Sequence, residues 1–326
     1  MSHFRLFALA SLTLATFACS PPPVNSDGGS DSAAPTDATS NDAQGTDSAS
    51  ADAAADAATD AAADAAATEA VTIRFAARVG TQPFSCSQTY PMMGMNNSTW
   101  TPKDFRFYVH DVRLVTAAGE VPVSIDTVGA FQGQGVALLD FEDHSGACAE
   151  GNTETNAQIV GRIPAGMAGH IHGLKFKLGV PFAINHQEPS SAPAPLNLSA
   201  MWWTWNAGYK FLKIDGNTAG LPMGFNIHIG STGCTGNNAG AVNPCMAPNV
   251  AEVSLDGFAP TTHTVVADLA ALVSMSNLET NTAMTAPGCM SAATDPECAP
   301  LFAALGLPFA STPAGTQRFF RAEMNR

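Results

Sequence analysis

Three of the chain's four tryptophans fall within one short run, Met201-Trp-Trp-Thr-Trp-Asn-Ala-Gly-Tyr-Lys-Phe211. In strand geometry Trp203 and Trp205 point to one face and Trp202 to the other. Two indoles side by side would form a polarisable, oxidisable pair. The same residues also suit a packed core or a platform on which a sugar ring stacks. Three histidines sit where an imidazole could be put to use. His110 alternates to the polar side of Phe105-Arg-Phe-Tyr-Val-His-Asp-Val-Arg-Leu-Val115, His186 follows Val180-Pro-Phe-Ala-Ile-Asn185 in a predicted loop, and His228 lies between Ile227 and Ile229 and faces away from them. Imidazole suits copper, and a site with few ligands can hold Cu(I). The rival role for each is a structural hydrogen bond or a solvated surface.

Other residues carry weaker chemistry. His170 and His172 have the HxH spacing common in copper proteins, whereas His144 and His263 read as solvated. Met92, Met93 and Met95 are soft thioether donors in a Pro/Gly/Asn loop, a position where simple packing is the commoner role. Asp140, Glu142 and Asp143 have no accompanying nucleophile or Gly-rich ion loop, so they read as structural. Gly230-Ser-Thr-Gly233 lacks the lysine of a phosphate-binding loop. The sequence contains no CxxCH haem motif, so an oxidant for an indole would have to come from a partner.

The elements that must position these residues read as strands. Val71 to Val79, Phe105 to Val115, Gly135 to Phe141, His172 to Val180 and Gly224 to Gly230 are short, apolar or alternating, and bounded by Gly, Pro or Asn. Val250 to Leu255 and His263 to Asp268 read as a hairpin around Asp256-Gly257. Helix is scarce, with a turn or two expected at Asp268 to Ser274 and at Pro300 to Leu305. The expectation is an all-β domain over residues 71–326, a β-sandwich or barrel-like fold with long, disulfide-stapled loops.

Seven cysteines divide cleanly. If Cys19 is lipidated, Cys86, Cys148, Cys234, Cys245, Cys289 and Cys298 remain, an even six for an oxidising compartment. Short loops suggest Cys234 with Cys245 and Cys289 with Cys298, leaving Cys86 with Cys148. The spacings are wider than CxxC zinc ligation prefers.

Residues 1–19 read as a lipoprotein signal peptide: Arg5, then an apolar run from Leu6 to Phe17, then Ala18-Cys19. Residues 20–70 carry ten acidic residues and no basic one, with Asp52, Asp56, Asp60 and Asp64 four apart. Such a segment cannot bury a core and reads as a disordered linker holding the domain off a membrane. The formal charge of −14 lies largely there, and without a basic patch nucleic acid is not an expected partner. Membrane contact is expected through a lipid anchor alone, at the periplasm, the outer membrane or the cell surface.

Asp104 to Leu114, Leu138-Leu-Asp-Phe-Glu-Asp143, Leu178-Gly-Val-Pro-Phe182, Asn185-His186, the Met201 to Phe211 run and His228-Ile-Gly-Ser-Thr-Gly-Cys234 together resemble the MbnP-like family, the four-Cys member of the metallo-mystery pair. The likeness preserves order from residue 71 to about 320. It makes Cys234, Cys245, Cys289 and Cys298 the four cysteines. It implies a periplasmic copper-binding protein and not an enzyme. The implied partner is a dihaem c-type cytochrome, an MbnH-like peroxidase, which uses peroxide to oxidise a tryptophan to kynurenine. The new amine can then help hold copper. Related methanotroph copper proteins place two histidines beside the modified residue, which stands two positions before a ligand histidine; here that position holds Tyr108. On this reading His110, His186 and His228 are the metal ligands, and Trp203 or Trp205 is the oxidised residue, with Trp100 a weaker candidate. A copper-dependent oxidase and a carbohydrate-binding surface module are the alternatives.

Overall fold

The computed structural model describes residues 67–149, 151–236 and 241–325. The expected signal peptide, Cys19 and all but the end of the expected linker lie outside the described residues. The opening strand, Thr68–Val79, begins before residue 71 and carries the domain three residues upstream of the expected start. None of the described helices is long and apolar enough to cross a membrane.

Two β-sheets share one core, so the fold is an all-β sandwich. The smaller sheet runs Phe320–Met324, His263–Asp268, Thr68–Val79, Gln158–Pro164, Ser124–Ile125. The larger is ordered Ala251–Asp256, Ile171–Leu178, Ser98–Thr116, Leu212–Asn217, Phe225–Ile229, Gly288–Cys289, with Val136–Asp140 also paired to the long strand Ser98–Thr116. Apolar residues alternate along much of these strands and face the other sheet. Phe75 of the smaller sheet meets Phe107 at 6.1 Å and Phe176 at 5.8 Å, and Phe320 meets Phe107 at 5.5 Å. Such edge-to-face pairs add to area burial.

The long strand decides which residues reach the far side of the larger sheet. Phe105, Phe107 and Val109 face the main core, which sends Asp104, Arg106, Tyr108 and His110 the other way. At Asp111 the backbone turns left-handed (φ 49°) and the register to Ile171–Leu178 slips between Lys175 and Lys177. Beyond this bulge Val112 and Leu114 are the core residues.

Val250 to Leu255 and His263 to Asp268 do not form the expected hairpin. The strand Ala251–Asp256 pairs with Ile171–Leu178 in the larger sheet, and His263–Asp268 pairs with Thr68–Val79 and Phe320–Met324 in the smaller. The Asp256-Gly257 turn (Gly257 φ +72°) therefore starts a crossing between sheets. Among the described residues helix is confined to short pieces, including Leu269–Val273 and Cys298–Ala304 near the two expected turns. Disulfides join Cys86 to Cys148, Cys234 to Cys245 and Cys289 to Cys298.

The outward face of the larger sheet carries a buried charge array. Adjacent strands place Asp140, Arg106, Lys213 and His228 in one register row, and Asp104 opposite Asp215 in the next. Asp104 accepts from both Arg106 and Lys213, Lys213 lies 3.2 Å from Asp215, and Asp215 Oδ1 lies 2.8 Å from His228 Nε2. All six side chains are buried. Removing one partner from such an array leaves a buried charge uncompensated and costs about 3–5 kcal/mol.

Two outcomes test this account. Asp268 ends its strand, caps Leu269–Val273 through the amides of Ala270 and Ala271, and accepts from Gly80 N and Arg321. Asp268→Ala should lower unfolding free energy by about 2–3 kcal/mol in urea titration; a loss near zero would contradict the hub assigned to it. Burial pushes the Asp140 carboxyl up to about 7 despite Arg106. The folded protein then keeps a proton that the unfolded chain releases at its ordinary, lower pKa. Stability should therefore fall as pH rises from about 4 to about 7. Thermal melts should show Asp140→Asn flattening that slope.

Candidate metal and redox site

The chain from Val180 to Phe211 leaves the sheet and folds back over its charged face. It contributes a helical turn at Phe182–Asn185, a 3-10 turn at Ser199–Met201 and a small hairpin pairing Trp202–Thr204 with Gly208–Tyr209. A second apolar cluster seals the contact: Tyr108, Val136 and Leu138 from the sheet against Ala192, Leu196, Met201, Tyr209 and Phe211, with Ile184 and Trp202 beside them. Two buried tyrosines fasten the irregular segment. Tyr108 Oη donates to Pro195 O (3.0 Å), and Tyr209 Oη donates to the carbonyls of Gln187 (2.9 Å) and Leu196.

The tryptophans do not form the expected side-by-side pair. The strand ends at Thr204, and its register slips between Trp202 and Thr204, so strict alternation never reaches Trp205. Trp203 packs on Gly230, where a Cβ would stand 2.6 Å from the indole; Trp205 packs on Gly236, where it would stand 2.2 Å away. Trp202 meets Tyr209 edge-on at 4.7 Å. Trp205 is 45 % exposed and Trp203 half-buried. Trp100 is fully buried in the main core. Trp203 also lines a cavity of about 290 Å³ with Asn206, Ser231, Thr232, Cys234 and Met290.

Each of the three selected histidines has one ring nitrogen held by an oxygen acceptor. His110 Nδ1 meets Gly179 O at 2.8 Å, His186 Nδ1 meets Trp205 O at 2.9 Å, and His228 Nε2 meets Asp215 Oδ1 at 2.8 Å. Carbonyl and carboxylate oxygens accept, so the facing ring nitrogen carries the proton and the opposite one keeps a lone pair. Metal-binding histidines are oriented by this type of contact. Burial holds His110 and His186 below the ordinary histidine range, keeping both rings neutral.

The opposite ring nitrogens have different surroundings. His228 Nδ1 is buried without a hydrogen-bond partner, and its ring centroid lies 6.5 Å from that of Trp203. His186 Nε2 lies 3.3 Å from Asn185 Nδ2 and 3.8 Å from Cys245 Sγ. Cys234 and Cys245 complete a tight group with His186, yet their sulfurs are joined to each other and offer no thiolate. His110 stands apart. Arg106, Lys213 and His228 share a register row, so His110 is displaced by four residues along and two strands across. At about 3.3 Å per residue and 4.8 Å per strand, some 16 Å separates its backbone from that of His228. That is too far for the two rings to hold one ion, and the expected three-histidine convergence is corrected accordingly.

The remaining candidates fall outside this region. His170 ends a 3-10 turn and His172 lies in the following strand, both exposed. Met93 is a core residue, while Met92 and Met95 are exposed. Asp215 and Lys213, which orient His228, were not anticipated. Leu212-Lys-Ile-Asp-Gly-Asn217 looks like a polar loop until the covering chain that buries its charged side is known. Its regular alternation was the available signal.

The comparisons agree with this architecture. The sequence model of the MbnP family matches residues 68–291. Among solved structures the chain is similar to MbnP from Methylosinus trichosporium, with a TM-score of 0.69 and 29 % identity over 80 % of this chain and 100 % of that one. No curated protein matches it. With the family's sequence model spanning well over half of its length, the chain belongs to the MbnP family.

Proposed function

We propose that this protein is a copper-binding accessory protein of the cell envelope, tethered through Cys19 to the outer membrane or held in the periplasm. The observation that carries the reading is the orphaned Nδ1 of His228 beside the Trp203 ring. A buried nitrogen lone pair without a donor costs about 1–3 kcal/mol. A bound metal would remove that cost, and imidazole is a donor that copper accepts. His228 and His186 are the assigned ligands. Asp215 holds the first ring and the Trp205 carbonyl holds the second. His110 serves the fold through Gly179.

Bound copper would supply a redox-active centre held by imidazole, and the chain supplies an oxidisable ring, Trp203, 6.5 Å from the His228 ring. Trp203 is assigned as the modified residue because it is the indole in contact with a ligand histidine. No haem motif is present in the sequence, so the oxidant is peroxide acting through a dihaem c-type cytochrome that docks from outside. The resulting kynurenine amine adds a nitrogen donor. The protein is substrate and partner in this scheme and not a catalyst. Turnover of an added reductant with oxygen would overturn that assignment in favour of a copper oxidase. The 45 % exposure of Trp205 favours one other reading, a sugar-stacking surface; glycan binding that survives chelation and disappears in Trp205→Ala would establish it.

Copper titration tests the ligand set. His228→Ala and His186→Ala should each abolish tight binding, Asp215→Asn should weaken it by about 10–100-fold, and His110→Ala should leave it unchanged. Equal affinity in the first two variants and wild type would remove the site. Coexpression with a dihaem cytochrome, followed by peroxide and peptide mass spectrometry, should show the tryptophan-to-kynurenine mass increment at Trp203. An increment confined to Trp205 would move the modification to the exposed indole.

A further inference from the structure

The Cys234–Cys245 bridge lies against His186, and the proposed copper site makes no use of its sulfurs. His186 Nε2 stands 3.8 Å from Cys245 Sγ, and the nitrogen and both sulfurs lie within 4.8 Å of one another. The Trp205 carbonyl accepts from Nδ1 of the same ring, so Nε2 is the nitrogen that keeps a lone pair toward the sulfurs. Nitrogen and sulfur ligands sit about 2.0–2.3 Å from a tightly held ion, and therefore within about 4.6 Å of one another. The three atoms already have nearly that spacing. What withholds the sulfurs is the bond between them.

Of the three bridges this is the one that a reductant can reach. Cys86, Cys148, Cys289 and Cys298 are 2, 1, 0 and 0 % exposed, whereas Cys245 is half-buried. Thiol–disulfide exchange needs access to one sulfur. Cys234 in turn lines the cavity of about 290 Å³ that it shares with Trp203. The bridge spans a small hairpin, Thr235–Gly236 with Val242–Asn243, outside the two main sheets, so opening it leaves the core strands paired. Two thiolates and an imidazole are a donor set that soft Cu(I) takes readily. We propose that a dithiol opens Cys234–Cys245 and that both thiolates, with His186 Nε2, then hold one Cu(I). A thiolate of the reductant attacks Cys245 Sγ, and Cys234 leaves as a thiolate. The reductant's second thiol displaces Cys245 from the mixed disulfide. Two electrons have then passed from the dithiol, now a disulfide, to the protein, now a pair of thiols. Binding Cu(I) releases their two protons. This state shares His186 with the proposed copper site but does not require His228.

The full chain carrying His228→Ala separates the two states, because it lacks a ligand of the first. After dithiothreitol, alkylation and peptide mass spectrometry should find label on Cys234 and Cys245 alone. Survival of that bridge, or earlier opening of another, overturns the proposal. Protein desalted without oxygen is then titrated with Cu(I) against bicinchoninate. Reduction should raise the copper held by one equivalent and bring thiolate-to-copper absorption in the near ultraviolet. Changing both cysteines to serine should remove the gain. Adding His186→Ala should weaken it by at least about tenfold, the loss that even an orienting partner of a ligand brings. That variant keeps the bridge, so it reads the ligand set even if the double serine variant does not fold. No gain on reduction, or equal affinity without His186, overturns the proposal. Copper binding by the oxidised wild type reports on the His228 site alone, so failure of one reading is distinct from failure of the other.

Discussion

The whole arrangement depends on burying a row of charges on the outer face of a β-sheet. An antiparallel sheet usually turns one face to water. Here that face carries Asp104, Arg106, Lys213, Asp215 and His228, and the chain from Val180 to Phe211 closes over it with Tyr108, Tyr209, Leu196 and Met201 as the seal. The charges tolerate burial because each is paired, Arg106 within its own strand and Lys213 and His228 across strands. Their value is positional more than stabilising, since buried ion pairs roughly balance their own desolvation. An imidazole held by a carboxylate that is itself held by Lys213 has little freedom to turn.

From that constraint the site follows. The His228 ring lies 6.5 Å, centre to centre, from that of Trp203, and Gly230 lets the indole approach the strand. Ser291 closes the arrangement from a different loop: its hydroxyl donates to His228 O at 2.9 Å and accepts from Gly230 N at 3.1 Å. The histidine, the glycine under the indole and the loop bridged by Cys289–Cys298 are thus joined by one buried hydroxyl. His186 enters from the covering chain, beside the Cys234–Cys245 bridge. Two ligands of the proposed copper site therefore come from opposite layers, sheet and cover.

Much of the fold was legible because strands with an apolar face announce it by alternation. Ile73 and Phe75, Phe105 and Phe107, Ile227 and Ile229 all mark core positions that the structure fills. Two cystine bridges follow from loop length, and the third, Cys86 with Cys148, from exclusion. What the sequence hid was partnership. Val250 to Leu255 and His263 to Asp268 look like two arms of a hairpin, since local pattern carries no record of which sheet a strand joins. Leu212–Asn217 was hidden because its outward residues are Lys213 and Asp215, charges that normally signal solvent. Each selected histidine has one ring nitrogen held by an oxygen, yet only cross-strand register separates His110 from His228. The indoles were misplaced for a smaller reason, a strand that stops one residue before Trp205.

The irregular loops then acquire a common logic. A sheet can fix a histidine on its own, but Trp203 and His186 sit on the covering chain, outside the two main sheets. Loops lose their order most easily. This chain restrains them with covalent bridges, with tyrosine hydroxyls aimed at loop carbonyls, and with side chains such as Ser291 that bond loop to strand.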